Sequence, residues 1–216
     1  MRIGVLGTGM VGSTLATKLV SLGHEVMMGS RTAGGEKAVA WVRSTGARAS
    51  QGTFADAARF GEMVFNCTQG GASLEALRAA GAANLEGKIL VDVANPLDFS
   101  KGMPPSLTIM NTDSLGEQIQ REFPETRVVK SLNTVNAQIM VDPSRVPGDH
   151  DVFVSGNDAG AKARVTELLT NGFGWARVID LGDITTARGT EAYLLLWIRL
   201  WGALGSPEIN IRVMRR

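Results

Sequence analysis

Gly7-Thr8-Gly9-Met10-Val11-Gly12 has the spacing GxGxxG. Glycine at those three places permits a tight turn, a close backbone approach by a ligand, and close helix–strand packing. With a strand before it and a helix after it, such a loop aims free backbone N–H groups and a positive helix end at a pyrophosphate. The segment Glu25-Val26-Met27-Met28-Gly29-Ser30-Arg31-Thr32 then bears on which dinucleotide is bound. An acid at its end would hold ribose hydroxyls and repel a 2′-phosphate. Ser30, Arg31 and Thr32 stand there instead. A guanidinium flanked by hydroxyls suits a 2′-phosphate, which favours NADP over NAD. Three more segments carry amide and hydroxyl side chains where strands should end. They are Cys67-Thr68-Gln69-Gly70-Gly71, Val93-Ala94-Asn95-Pro96 and Leu132-Asn133-Thr134-Val135. They suit ribose, adenine and carboxamide, and equally suit turns and caps.

These residues need a scaffold, and the apolar pattern supplies one. Met1–Leu6 reads as a strand and Val11–Leu22 as a helix with Val11, Leu15, Leu19 and Leu22 near one face. Strands follow at Glu25–Met28, Ala47–Ser50, Glu62–Cys67 and Lys88–Val93. Helices lie between them at Glu36–Ser44, Phe54–Phe60 and Leu74–Ala83. Such alternation with short turns predicts parallel strands joined by crossover helices, a doubly wound α/β sheet of Rossmann type. Later come a loop over Ser100–Leu107, a helix over Thr112–Phe123 with Asp113 or Ser114 as cap, and a strand over Arg127–Leu132. A polar loop over Val141–Asp151 precedes strands at Asp151–Ser155 and Ala176–Asp180 and helices at Ala159–Leu169 and Thr185–Leu204. Residues 1–140 are expected to form the dinucleotide-binding domain. Residues 141–216 are too few for a second full domain and are expected to form a small annex packed on the first.

Composition narrows the function classes. The 216 residues carry 22 Lys+Arg against 21 Asp+Glu, so no general charge draws the chain to nucleic acid or an anionic membrane. One Cys excludes an internal disulfide, a CxxC pair and a Cys-rich zinc site, and two His disfavour a histidine metal site. No extended apolar signal region opens the chain and no run of 18 apolar residues occurs, so a cytoplasmic protein is expected.

Reduction of a carbonyl or imine by hydride needs a proton donor. The single Tyr, Tyr193, lies in an apolar helix, and Cys67 ends an apolar strand and reads as a small buried hydrophobe. His24 reads as a turn residue and His150 as exposed in a Pro-containing loop. Lys130 and Lys162 show no catalytic spacing, and no SxxxYxxxK pattern exists. No catalytic side chain is assigned. Transfer between two redox carriers needs less from the protein, because each carrier brings its own chemistry.

GTGMVG, MMGSRT, DVANP, KSLNTV, VFVSGND and EAYLLLWIRLWG together resemble the NADPH-dependent coenzyme F-420 (F420) reductases, with a similar likeness to the reductase domains of the metalloreductases. The resemblance implies a Rossmann fold with a small C-terminal annex, a dimer, and hydride transfer between NADP(H) and a deazaflavin. It maps the phosphate loop onto Thr8, Gly9, Met10 and Val11, and the 2′-phosphate site onto Ser30, Arg31 and Thr32. It maps the nicotinamide neighbourhood onto Ala94 and Asn95, with Asn133, Thr134 and Val135 opposite. The Asn133-Thr134 pair is closer to the metalloreductase type. The expectation is an NADP(H)-dependent oxidoreductase whose small-molecule acceptor is F420 or a flavin. Its site comprises Gly7, Thr8, Gly9, Met10, Val11, Ser30, Arg31, Thr32, Thr68, Gln69, Ala94, Asn95, Asn133 and Thr134. No metal, nucleic-acid or membrane partner is expected. Two alternatives remain open: an NADP-binding regulatory module without turnover, and a small imine or carbonyl reductase. The last helix, apolar almost all round at Leu194–Ile198 and Leu200–Trp201, must be buried, and a second copy is the expected cover.

Overall fold

The computed structural model describes residues 1–216. The chain begins β1 (Arg2–Leu6), α1 (Met10–Ser21), β2 (Glu25–Ser30), α2 (Glu36–Thr45), β3 (Ala49–Thr53), α3 (Phe54–Phe60) and β4 (Met63–Asn66). It continues α4 (Ser73–Ala80), α5 (Ala82–Leu85), β5 (Ile89–Asp92), the short pair β6 (Leu97–Asp98) and β7 (Ser106–Leu107), α6 (Leu115–Glu122) and β8 (Arg127–Ser131). It ends α7 (Ala137–Val141), β9 (Val152–Ser155), α8 (Ala159–Glu167), β10 (Val178–Gly182) and α9 (Ala187–Leu204). Eight strands form one sheet in the order β10-β9-β8-β5-β4-β1-β2-β3. All neighbours run parallel except β8 and β9, so β9 and β10 run against the rest. The order reverses at β1, which pairs with β2 on one side and β4 on the other. In such sheets ligands bind at that reversal, beyond the strand C-termini.

Strand alternation divides the core. Ile3 and Val5 of β1 join a cluster with Leu15 and Leu19 of α1 on one face. Leu6 joins Ala57, Leu77 and Leu90 on the other. Both faces are covered, which is why the central strands read as apolar runs. Local chemistry sets the helix starts. Thr53 and Asp56 form a reciprocal capping box at α3. Ser114, one of the two expected caps, accepts from the Glu117 N–H at α6.

Several expectations change. The helix expected over Leu74–Ala83 is two helices, broken where Gly81 adopts φ +88°. The stretch before the polar loop contains α7, a five-residue helix too short to show a 3.6 period; Asn136 caps it by accepting from the N–H groups of Gln138 and Ile139. His150 is buried, not exposed. Its ring packs edge-on against Trp175, Nε2 lies 3.0 Å from the Pro143 carbonyl, and Nδ1 lies 2.8 Å from Asn210. Residues beyond 140 add β9 and β10 to the same sheet. α9 buries Ala187, Thr190, Glu191, Leu194, Trp197 and Ile198 but leaves Leu196, Trp201 and Leu204 exposed. No helix is long and apolar enough to cross a membrane.

Candidate functional site

The GxGxxG loop follows β1 and opens α1, at the sheet's reversal. Gly7 has φ +117°, and a Cβ there would lie 2.7 Å from the Cys67 carbonyl oxygen. A Cβ at Gly12 would lie 2.2 Å from the Gly7 carbonyl oxygen. The loop is therefore pressed flat on the ends of β1 and β4. Gly9 caps α1 with no side-chain hydrogen bond, and the first turn holds no acid. Its N–H groups stay free, as an anion requires. Gly12→Ala is expected to cost about 1–3 kcal/mol of stability by overpacking, read from urea unfolding, with a parallel loss of NADPH affinity.

A polar cavity of about 680 Å³ opens beyond this loop, lined by Gly7, Thr8, Gly9, Ser30, Arg31 and Thr32. The Ser30 hydroxyl donates to the Thr32 carbonyl at 2.6 Å, so it shapes the turn. Arg31 makes no ion pair with the protein, and neither does Lys37, which also lines the cavity. Sequence reasoning passed over Lys37. Its signal was a cation in the first turn of the helix that follows the Ser-Arg-Thr segment. Two unpaired cations beside an uncapped helix start fit a dinucleotide with an extra phosphate.

A second, mainly apolar cavity of about 740 Å³ adjoins the first. The two share Cys67, Thr68, Gln69 and Ala72. Its walls include Met10 and Val11 of α1, Ala94 and Asn95 beyond β5, Asn133 beyond β8, and Leu194, Trp197 and Trp201 of α9. Ala137 and Met140 come from the unforeseen α7. Asn95 and Asn133 are paired: Asn133 Nδ2 donates to Asn95 Oδ1 at 2.9 Å, and Asn95 Nδ2 donates to the Asn133 carbonyl at 2.9 Å. Leu132, just before, is fully buried at φ +62°, a turn a leucine adopts only when its surroundings force it. The Thr68 hydroxyl donates inward to Asn66 Oδ1 at 2.6 Å. Thr134 lines neither cavity, and its buried hydroxyl has no hydrogen-bond partner.

Behind the floor lies a cluster of buried charges. Lys130 Nζ donates to Asp92 Oδ2 at 2.8 Å, meets Glu191 Oε1 at 2.7 Å, and also donates to the Ala94 carbonyl. Burial pulls the Lys130 pKa down, but Asp92 and Glu191 outweigh it and hold it above the ordinary lysine value. Glu191 also accepts from the N–H groups of Leu115 at 2.8 Å and Gly116 at 3.0 Å, at the start of α6. Asp92 Oδ1 accepts from Asn66 Nδ2 at 2.8 Å, and Asn66 reaches Thr68. Nothing in the sequence pairs positions 92, 130 and 191.

Cys67 and Glu208 are the two ionisable residues lining the apolar cavity, and Glu208 is ion-paired with Arg145. Cys67, expected to be a small buried hydrophobe, is half-buried. Burial, and then the nearby Asp92 carboxylate, push its thiol pKa far up. Alkylation by iodoacetamide at pH 8 is expected to run well below the rate of a free thiol, and mass spectrometry over time would test this.

A phosphate-cradling loop at the sheet's reversal, unpaired cations where the ribose acid is missing, and an adjoining apolar cavity define an oxidoreductase that uses NADP(H). Residues 2–96 match the family described as "NADP oxidoreductase coenzyme F420-dependent". The chain is 30% identical over 211 residues to the F420-dependent NADP reductase of Methanothermobacter marburgensis, covering 93% of this chain and 92% of that one. It is 31% identical over 205 residues to the metalloreductase STEAP3 of Rattus norvegicus; that match covers 93% of this chain but spans only 38% of the relative's length. A crystal structure from Arthrobacter sp. FB24, provisionally named an F420-dependent NADP reductase, is 57% identical with a TM-score of 0.95 over 100% of both chains. The chain belongs to the F420-dependent NADP oxidoreductase family.

Proposed function

We propose that the protein transfers hydride between NADPH and a flat redox carrier, F420 or a flavin, across the junction of the two cavities. That junction, at Cys67–Gln69 and Ala72, is the observation that carries the reading. The polar cavity takes the adenosine 2′-phosphate and pyrophosphate on Thr8, Gly9, Ser30, Arg31 and Thr32. Met10, Val11, Ala94, Asn95 and Asn133 would hold the nicotinamide, which supplies the hydride when NADPH is bound. Thr68 and Gln69 border both ends. Residues 1–140 supply the cofactor's contacts, and residues 141–216 close the apolar cavity with Leu194, Trp197 and Trp201. The protein's own contribution is to align two rings and exclude water.

The lining favours this over a small imine or carbonyl reductase. Glu208 is engaged by Arg145, the raised pKa of the Cys67 thiol makes it a poor proton donor, and Tyr193 does not line the cavity. A carrier pair needs no protein acid. The deciding assay follows the visible absorbance of oxidised F420 with NADPH, with FMN and FAD in parallel. Saturable loss with one of them identifies the acceptor. No turnover with any of the three, with NADPH still bound, would sink the reading and leave a regulatory module.

The exposed apolar residues of α9 suit a homodimer. Trp201→Glu with Leu204→Glu is expected to halve the mass seen by sedimentation, and an unchanged mass would remove the dimer from this reading.

A further inference from the structure

We propose that Lys130 is the positioning residue of the nicotinamide end: its one ammonium ties together the walls of the apolar cavity. The inference rests on the reading of that cavity given above. Lys130 has three N–H donors, and each goes to a different structural element. One bonds Asp92, the last residue of β5; one bonds the carbonyl of Ala94, next to Asn95; one bonds Glu191 of α9. Lys130 itself lies on β8, three residues before Asn133. Asn95, Asn133 and the α9 side chains Leu194 and Trp197 are thus referred to a single point. Through Asp92 and Asn66 the same cluster reaches Thr68, at the junction of the cavities.

A fold needing only stability has cheaper solutions. Apolar residues of similar volume often stabilise as well as a buried ion cluster. Here all three side chains are buried, with relative exposures of 0%, 0% and 2%, and each oxygen of Glu191 receives a backbone N–H. Bonds with such fixed directions hold rotamers and loop positions that packing alone lets drift. The cluster touches no residue of the phosphate loop or the Ser30–Thr32 turn. Its reach toward the polar cavity stops at Thr68 on the junction, so its influence falls mainly on the nicotinamide end of the cofactor.

That asymmetry gives the test. Calorimetry compares NADPH with 2′,5′-ADP, which carries the adenosine and 2′-phosphate but no nicotinamide. The affinity advantage of NADPH reports the nicotinamide half alone. Glu191→Gln keeps the shape, but with its carbonyl left on Lys130 and the Gly116 N–H it turns an amide N–H₂ toward the Leu115 N–H, loosening α9 from α6. The expected result is a loss of about fivefold to tenfold in that advantage, with 2′,5′-ADP affinity within about twofold of wild type. Unchanged values for both ligands would overturn the proposal. Equal weakening of both would also overturn it, since it marks a role in stability alone. So would a wild-type chain that binds both ligands equally. If Glu191→Gln does not fold, Asp92→Asn is read in the same way, and two variants that both fail to fold reduce the cluster to a folding requirement. Failure of F420 or flavin turnover in the wild type would remove the acceptor assignment while leaving this comparison readable.

Discussion

Arg31→Ala is expected to weaken NADPH binding by about tenfold to hundredfold and to leave NADH binding within about twofold. The asymmetry follows from what the two cofactors share. On the proposed site both would present the same pyrophosphate to the α1 N-terminus and the same nicotinamide to Asn95 and Asn133. Only NADPH would bring a 2′-phosphate to the turn where Ser30, Arg31 and Thr32 replace an acid. Arg31 has no carboxylate of its own to leave, so its charge-assisted bonds are gained without breaking an ion pair. Lys37, on the same cavity, is expected to retain part of the preference, so Arg31→Ala with Lys37→Ala should bring the two cofactors closest. The exposure of the site adds a second signature, because the NADPH preference should shrink as salt is raised. Fluorescence titration with both cofactors decides it. Equal weakening of NADH and NADPH would move the 2′-phosphate elsewhere.

Lys130→Met is expected to be the most destabilising single change, costing about 3–5 kcal/mol, or about 6–20 °C in melting temperature for a chain of this length. It removes the cation between Asp92 and Glu191 and leaves two carboxylates facing each other without water. By contrast, Arg121→Ala breaks an exposed pair with Asp113 and should move the melting temperature by only a degree or two. The sign of the pH dependence follows from the raised Lys130 pKa. The cluster's contribution is complete below the ordinary lysine value and fades only as pH climbs past it toward the higher folded value. Melting curves from neutral to strongly alkaline pH should therefore converge for wild type and Lys130→Met at the alkaline end. A wild-type melting temperature that holds its lead over Lys130→Met undiminished to the alkaline end would contradict this account.

How much of this was legible beforehand depends on whether the signal was local. The phosphate loop could be read because its three glycines answer constraints within six residues, and the neighbouring strand and helix have long apolar periods. Arg31 stood out as a candidate because it occupies the place where such a fold puts an acid. Lys37 was missed because one cation on a polar helix carries no spacing signal. α7 was missed because five residues do not complete two turns. His150 looked exposed in a Pro-containing loop, but Trp175 and Asn210, which bury it, lie far along the chain.

The sequence alone determined the alternation of strand and helix, the anion-binding loop and the preference for a 2′-phosphate. Each rests on contacts between near neighbours, and for these short-range periodicity and residue chemistry suffice. The tertiary structure decided which strand ends meet, and hence that Asn95 and Asn133 bond each other beside α9. It also decided that Lys130, unremarkable in the chain, holds two carboxylates from 38 residues before it and 61 after it. A buried charge is tolerable only where its partners converge, and convergence is a property of the sheet order, which no local stretch of residues encodes.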